Sequence, residues 1–126
     1  MSVVSHISRG STARSRHAAR SLDVSRASVR DNPDRERFDL WYGDQLVGIL
    51  GYRTRGEVGA TGRSAGVVVL LHTVVEEEYS GHGLAALLVR AALDTARRRH
   101  QHVQPLCTYV QHYRAKHPGD EDLVAA

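Results

Sequence analysis

A chain of 126 residues, 41% apolar and 25% charged, has room for one globular domain with a modest core and excludes a two-domain protein. Its net charge of +3 is unevenly spread: residues 1–30 hold six arginines against Asp23 alone, whereas the remainder holds eleven basic and thirteen acidic residues. The body is therefore slightly acidic, which argues against a nucleic-acid-binding face on it. No apolar run approaches the roughly 18 residues of a membrane span, so no membrane association is expected. The single cysteine, Cys107, rules out an intramolecular disulfide and fits a reducing compartment, so a cytoplasmic location is expected.

Residues 1–28 are rich in Ser, Arg and Ala and poor in large apolar side chains. Such a segment buries too little surface to offset its ordering entropy, which predicts a disordered or nascently helical tail. It has the composition of a transit peptide, of a basic arm for nucleic acid or an anionic surface, or of a dispensable extension. A folded domain is expected over residues 29–126. "RFDLWY" alternates Phe38, Leu40 and Tyr42 with Arg37, Asp39 and Trp41, a strand pattern, and Gly43-Asp44 turns it into "QLVGILGYR", the second strand of a hairpin. "TRGEVGATGRSAG" is a glycine-rich loop, and "VVVLLHTVV" is a continuous run suited to a central strand buried on both faces. Leu84, Leu87, Leu88 and Ala91 then repeat at helical spacing, with Arg97–Arg99 at the end where positive charge suits the helix dipole. "HVQPLC" reads as a short strand ending at Cys107, and "TYVQHYRAKHP" as a helix stopped by Pro118-Gly119. Strand, strand, strand, helix, strand, helix predicts an α+β or α/β layered fold around one sheet.

The chemistry concentrates in "EEEYSGHGLAALLVRAAL", a Gly-x-Gly turn between three glutamates and an apolar helix. Strand, glycine turn and helix together aim free backbone N–H groups and the positive end of a dipole at an anion. A dinucleotide fold fails because "HVQPLC" ends in no acidic residue for the ribose, and a P-loop fails because no lysine follows the turn. A bland alternative is a tight turn with Ser80 as the helix N-cap. His100, His102 and Cys107 invite a zinc reading, but no fourth ligand accompanies them, and no metal is expected.

The wider pattern is more specific. His72-Thr73 precedes the glycine turn; Pro105-Leu106-Cys107-Thr108-Tyr109-Val110 follows the helix; Tyr113 and His117-Pro118 come next. With the opening "VRDNPDRERFDLWYGDQLVGILGYR", this order resembles the compact members of the GNAT superfamily of acetyl-CoA-dependent N-acetyltransferases, from about Val29 to Val124. The resemblance implies a mostly antiparallel sheet with splayed central strands and two main helices. It implies a small-molecule acetyl donor, acetyl-CoA, whose pyrophosphate rests on the loop Ser80, Gly81, His82, Gly83, Leu84 and Ala85. The pantetheine arm would pair with the backbone of Val74 and Val75. The family has Gln or Arg where this chain has Ser80, and loss of a charged donor to phosphate costs on the order of 1.5–3 kcal/mol if nothing replaces it. His82 is a candidate replacement.

Three side chains are candidates for the reaction. Cys107 lies where the resemblance puts the thioester and is either a nucleophile that carries the acetyl group or a packed thiol. Tyr113 matches the tyrosine that protonates the departing thiolate, although Tyr109 and Tyr113 at i, i+4 also read as a packing pair. His72, at the strand's end, is either the base for an incoming amine or a histidine satisfied by backbone. An N-acetyltransferase acting on a lysine side chain or a small amine is expected, with a non-catalytic CoA-binding or protein-interaction module as the alternative. Nucleic acid is expected only through the basic tail.

Overall fold

The computed structural model describes residues 22–56 and 66–124. Most of the expected tail and the middle of the glycine-rich loop therefore lie outside the described residues. The part of residues 1–28 that is described is built into the domain. Leu22 packs against the core cluster, the Asp23 amide donates to the Tyr42 hydroxyl at 3.0 Å, and Arg26 lies 4.9 Å from the centre of the Tyr42 ring.

Five strands form one sheet in chain order: β1 (Ala27–Asn32), β2 (Arg37–Tyr42), β3 (Gln45–Arg55), β4 (Val67–Val75) and β5 (His102–Pro105). The first four pair antiparallel, and β5 joins β4 in parallel after the crossover through α1 (Leu84–Arg98). A second helix, α2 (Thr108–Lys116), follows β5. This is the expected α+β architecture with one strand more than the sequence reading found. Ala27 and Val29 of β1 are half-buried between exposed Ser28 and Arg30, an alternation hidden by the Ser/Arg composition around it.

The core lies between the sheet and the helices. Phe38, Leu40, Val47, Leu50, Val68 and Leu70 from the strands meet Leu84, Leu88, Val89, Ala92, Leu93 and Ala96 from α1. The expected stripe of α1 shifts accordingly: Leu87 and Ala91 are half-buried at its margin, and Val89, Ala92 and Leu93 are interior. A turn from Pro118 to Leu123 folds back onto α1, where buried Asp120 receives Arg90 at 2.9 and 3.1 Å and Arg97 at 3.1 Å. The forked hydrogen bond from Arg90, then that from Arg97, holds the Asp120 carboxyl below its ordinary range. No described helix is long and apolar enough to cross a membrane.

Two irregularities, one in β4 and one in β5, open the sheet on one side. Gly51 pairs with His72 and Tyr52 with Leu70, so Leu71 is an extra residue, a β-bulge. Before it, Val68 and Leu70 face the helices; after it, Thr73 and Val75 do, while Leu71 and His72 face the other way. The second irregularity is the early end of β5. Its ladder stops at the Leu70–Pro105 pair. The next two amides, Leu106 and Cys107, both converge on the Leu70 carbonyl at 3.0 Å, and the chain turns away into α2. Among the described residues, Leu71–Val75 have β3 on one edge and no strand on the other.

Candidate functional site

The open edge of β4 borders a cavity of about 330 Å³ lined by Thr73, Val75, Ser80, Gly81, Gly83, Ala85 and Tyr109. Strand, glycine turn and α2 thus meet at one place. Between Val75 and the turn runs a short 3-10 segment, Glu77–Tyr79. Ser80 closes it by donating its hydroxyl to the Glu77 carbonyl at 2.9 Å, so it is not the N-cap that the bland reading supposed. The cap of α1 is Gly83, which offers no side chain to the first-turn amides. Those amides are therefore available to a ligand. Gly81 and Gly83 sit at φ +78° and +81°, and a Cβ built on either meets nothing within 4 Å. Their left-handed backbone favours glycine, and the space above it is open to a guest.

The glutamates beside this turn are less hostile to an anion than the sequence suggested. Glu76 is buried, and its amide donates to the Val47 carbonyl at 2.8 Å. Burial first, then a hydrogen bond to Glu78 and that group's charge, push the Glu76 carboxyl up to about 8. At neutral pH it is mostly protonated, so the run carries less negative charge toward the cavity than three free carboxylates would.

On the wall of the cavity, Thr73 Oγ1 lies 3.3 Å from Cys107 Sγ. Cys107 is buried at the N-cap position of α2 rather than at the end of β5, and it has no side-chain hydrogen bond to that helix. Tyr109, the second residue of α2, lines the cavity. Burial, then nearby Tyr113, push the Tyr109 hydroxyl up, which keeps it protonated. Tyr113 is not among the lining residues. It is half-buried against the core and stacked on His117, with ring centres 4.1 Å apart. His117 Nδ1 lies 2.9 Å from the Tyr113 carbonyl.

The remaining expected residues divide. Leu84 is interior, 1% exposed, and anchors α1 rather than lining the cavity. His82 is exposed at the tip of the turn. Val74 is half-buried and by strand alternation faces away from Thr73 and Val75. His72 also faces away. Its ring covers Gly51, where an added Cβ would sit 2.8 Å from both Cε1 and Nε2, and its Nε2 is buried without a hydrogen-bond partner. Sequence reasoning passed over Thr73 and Tyr109 as lining residues. The bulge at Leu71 decides the first and the rotation of α2 the second, and neither leaves a mark in composition.

Three comparisons bear on this arrangement. A sequence profile of the GCN5-related N-acetyl-transferase family matches residues 37–123, from β2 to the buried Leu123. A Staphylococcus aureus protein solved by NMR and described as GCN5-like superposes with a TM-score of 0.58 at 17% identity, over 81% of this chain and 91% of that one. A ribosomal-protein-alanine N-acetyltransferase from Brucella melitensis biovar Abortus 2308 aligns at 20% identity and a TM-score of 0.47, over 71% of this chain and 61% of the other. At 17% identity the likeness to the Staphylococcus aureus structure is one of fold. A search of curated proteins gives no match.

Proposed function

We propose, on the premise that this chain belongs to the GCN5-related N-acetyl-transferase family, that it takes an acetyl group from acetyl-CoA and passes it to an amine. The observation that carries this reading is the convergence of the open edge of β4 and an uncapped glycine turn on one cavity, with Cys107 Sγ buried 3.3 Å behind the lining residue Thr73. In this reading the pantetheine arm adds to the free edge of β4 at Val74 and Val75, as a peptide adds to a sheet edge. The pyrophosphate rests on the turn from Ser80 to Ala85 and on the first amides of α1. No side chain there supplies charge, so backbone donors and the helix dipole hold the phosphates, with His82 at the rim.

The reaction follows from what lies around the thioester. In direct transfer the amine nitrogen attacks the thioester carbonyl carbon, the C–N bond forms, and the C–S bond breaks. His72 receives the amine's proton. The CoA thiolate takes a proton from a tyrosine on α2, and the products are an N-acetylated amine and free CoA. Tyr109 suits that donor role because it lines the cavity and stays protonated; Tyr113 is the second candidate. In the two-step variant Cys107 Sγ attacks first and releases CoA, and the amine then attacks acetyl-Cys107 and regenerates the thiol. Thr73 Oγ1 beside Sγ is placed to orient the thiol or hydrogen-bond its sulfur.

A thermal-shift titration with acetyl-CoA tests the donor site. The parent should be stabilised in a dose-dependent way, because a ligand of the native state raises stability by mass action. Gly83→Glu should abolish the shift by placing a carboxylate in the cradle. Gly83→Asn, which tolerates the left-handed backbone, should keep most of it. Intact mass after incubation would then show an acetyl adduct that Cys107→Ser removes, if the two-step route operates. No shift at millimolar acetyl-CoA would overturn the enzyme reading in favour of an interaction module.

A further inference from the structure

A second cavity, of about 430 Å³, lies behind β4 and is lined by Arg35, Glu36, Arg37, Ile49, Gly51, Tyr52, Arg53, Leu71 and His72. It lies on the opposite side of β4 from the Thr73–Cys107 contact, yet His72 and Thr73 are adjacent residues, their Cα atoms about 3.8 Å apart. Where β5 has turned away, no strand among the described residues covers the edge of β4 that lies between the two cavities. We infer that this cavity seats the acceptor, and that the acceptor is a small amine carrying a carboxylate, recognised by Arg35 and Arg53 with its amino group at His72. The inference rests on the acetyl-transfer reading and adds the substrate class.

Charge is the first support. Three guanidinium groups and one carboxylate line the cavity, an excess that suits an anionic guest. Arg37 is already engaged, its Nε 2.6 Å from Asp39 Oδ1 with both side chains largely buried. Asn32 holds the other oxygen of Asp39 at 3.0 Å. Among the described residues, Arg35 and Arg53 have no ion-pair partner, and both are exposed. Two free forks beside one fixed one can close on a carboxylate.

The second support is His72. A buried ring nitrogen without a partner is uncommon in a folded protein and calls for an explanation. Here Nε2 sits against Gly51, another wall of the same cavity. A bound amine would supply the missing partner and hand over its proton there. Gly51 makes this possible, since any side chain at that position would push the imidazole aside. The four residues Pro33–Glu36 that link β1 to β2 bring Arg35 and Glu36 to the cavity, and the Glu36 carbonyl accepts from the Tyr52 amide at 2.9 Å.

The test uses the full chain and a matched pair of amines, 4-aminobutyrate and butylamine, which differ only in the carboxylate. In titrations followed by amide chemical shifts, 4-aminobutyrate should perturb Gly51, Tyr52 and His72, and butylamine should bind at least tenfold more weakly. Arg35→Gln with Arg53→Gln should weaken 4-aminobutyrate at least tenfold while leaving stabilisation by acetyl-CoA unchanged. Arg37 is left intact because its loss would strand buried Asp39. Gly51→Ala should lower acetylation of 4-aminobutyrate and alter the His72 ring resonances without changing acetyl-CoA binding. Equal affinity for the two amines, or no effect of the arginine substitutions, would overturn the inference even if acetyl-CoA binds. Failure of acetyl-CoA to stabilise the parent would instead overturn the donor reading, and the amine titration would still decide the cavity's preference.

Discussion

The two halves of β4 share valines and leucines and do opposite things. In Val67–Leu70 the strand has β3 on one side and β5 on the other, and Val68, Val69 and Leu70 are buried. Arg55 of β3 reaches Gln104 of β5 across this half and closes it further. In Leu71–Val75 the strand has a neighbour on one edge only, and every residue is half-exposed. Valines and leucines occupy both halves, but only the open one carries polar side chains, His72 and Thr73. The partner strand differs too, turning aside where two of its amides share the Leu70 carbonyl. The first half builds stability, and the second is free to bind.

Substitutions can separate those roles. Leu70→Ala, at a fully buried site in the closed half, should cost about 2–5 kcal/mol in chemical denaturation. Val74→Ala in the open half should cost about 1 kcal/mol or less. Similar losses at both positions would show that the open half is packed after all. Tyr109→Phe should lower the turnover number about 100-fold, as expected for removal of a general acid, with little change in melting temperature. Tyr113→Phe should act mainly on stability; a reversed pattern in steady-state kinetics would return the acid role to Tyr113.

The glutamate at the end of the open half gives a pH signature. Its carboxyl is raised from an ordinary value near 4.5 to about 8. Between those values the native protein holds a proton that the unfolded chain has released, so this contribution is complete below the lower value and is lost as pH rises through the upper one. Raising the pH from about 5.5 to about 8.5 should cost the parent on the order of 3 kcal/mol. Glu76→Gln should flatten that dependence in denaturation curves. The smallest effect belongs to Thr73→Val, which removes the hydroxyl beside Cys107. It should change stability by less than about 1 kcal/mol and show itself in the yield of acetylated protein by mass spectrometry.

Much of this could be read in the sequence because it depends on local chemistry. Gly43-Asp44 turns a hairpin, the run from Val67 to Val75 is a strand, and Gly81 and Gly83 precede a helix whose apolar face is plain. The order of these elements carried the family resemblance and the fold. Features that depend on register were hidden. β1 sits inside an Ser/Arg-rich stretch and gains its strand identity only by pairing with β2. Leu71 looks like any other residue of an aliphatic run, and nothing in "VVVLLHTVV" says that one of its members is unpaired. Ser80 has the side chain of a helix cap and spends it on the turn before. Tyr109 and Tyr113 are chemically the same, and only the packing of α2 decides which one meets the cavity.

The bulge at Leu71 acts as a change of parity. Upstream of it, even-numbered residues of β4 face the helices; downstream, odd-numbered ones do. Were Leu71 paired in register like its neighbours, strict alternation would transpose the strand's remaining side chains, sending the imidazole to the thiol's compartment and the threonine to the arginines'. No residue type would need to change for the two compartments to exchange their chemistry. The identity of each face is thus encoded in the register of β4 against β3 as much as in the residues themselves.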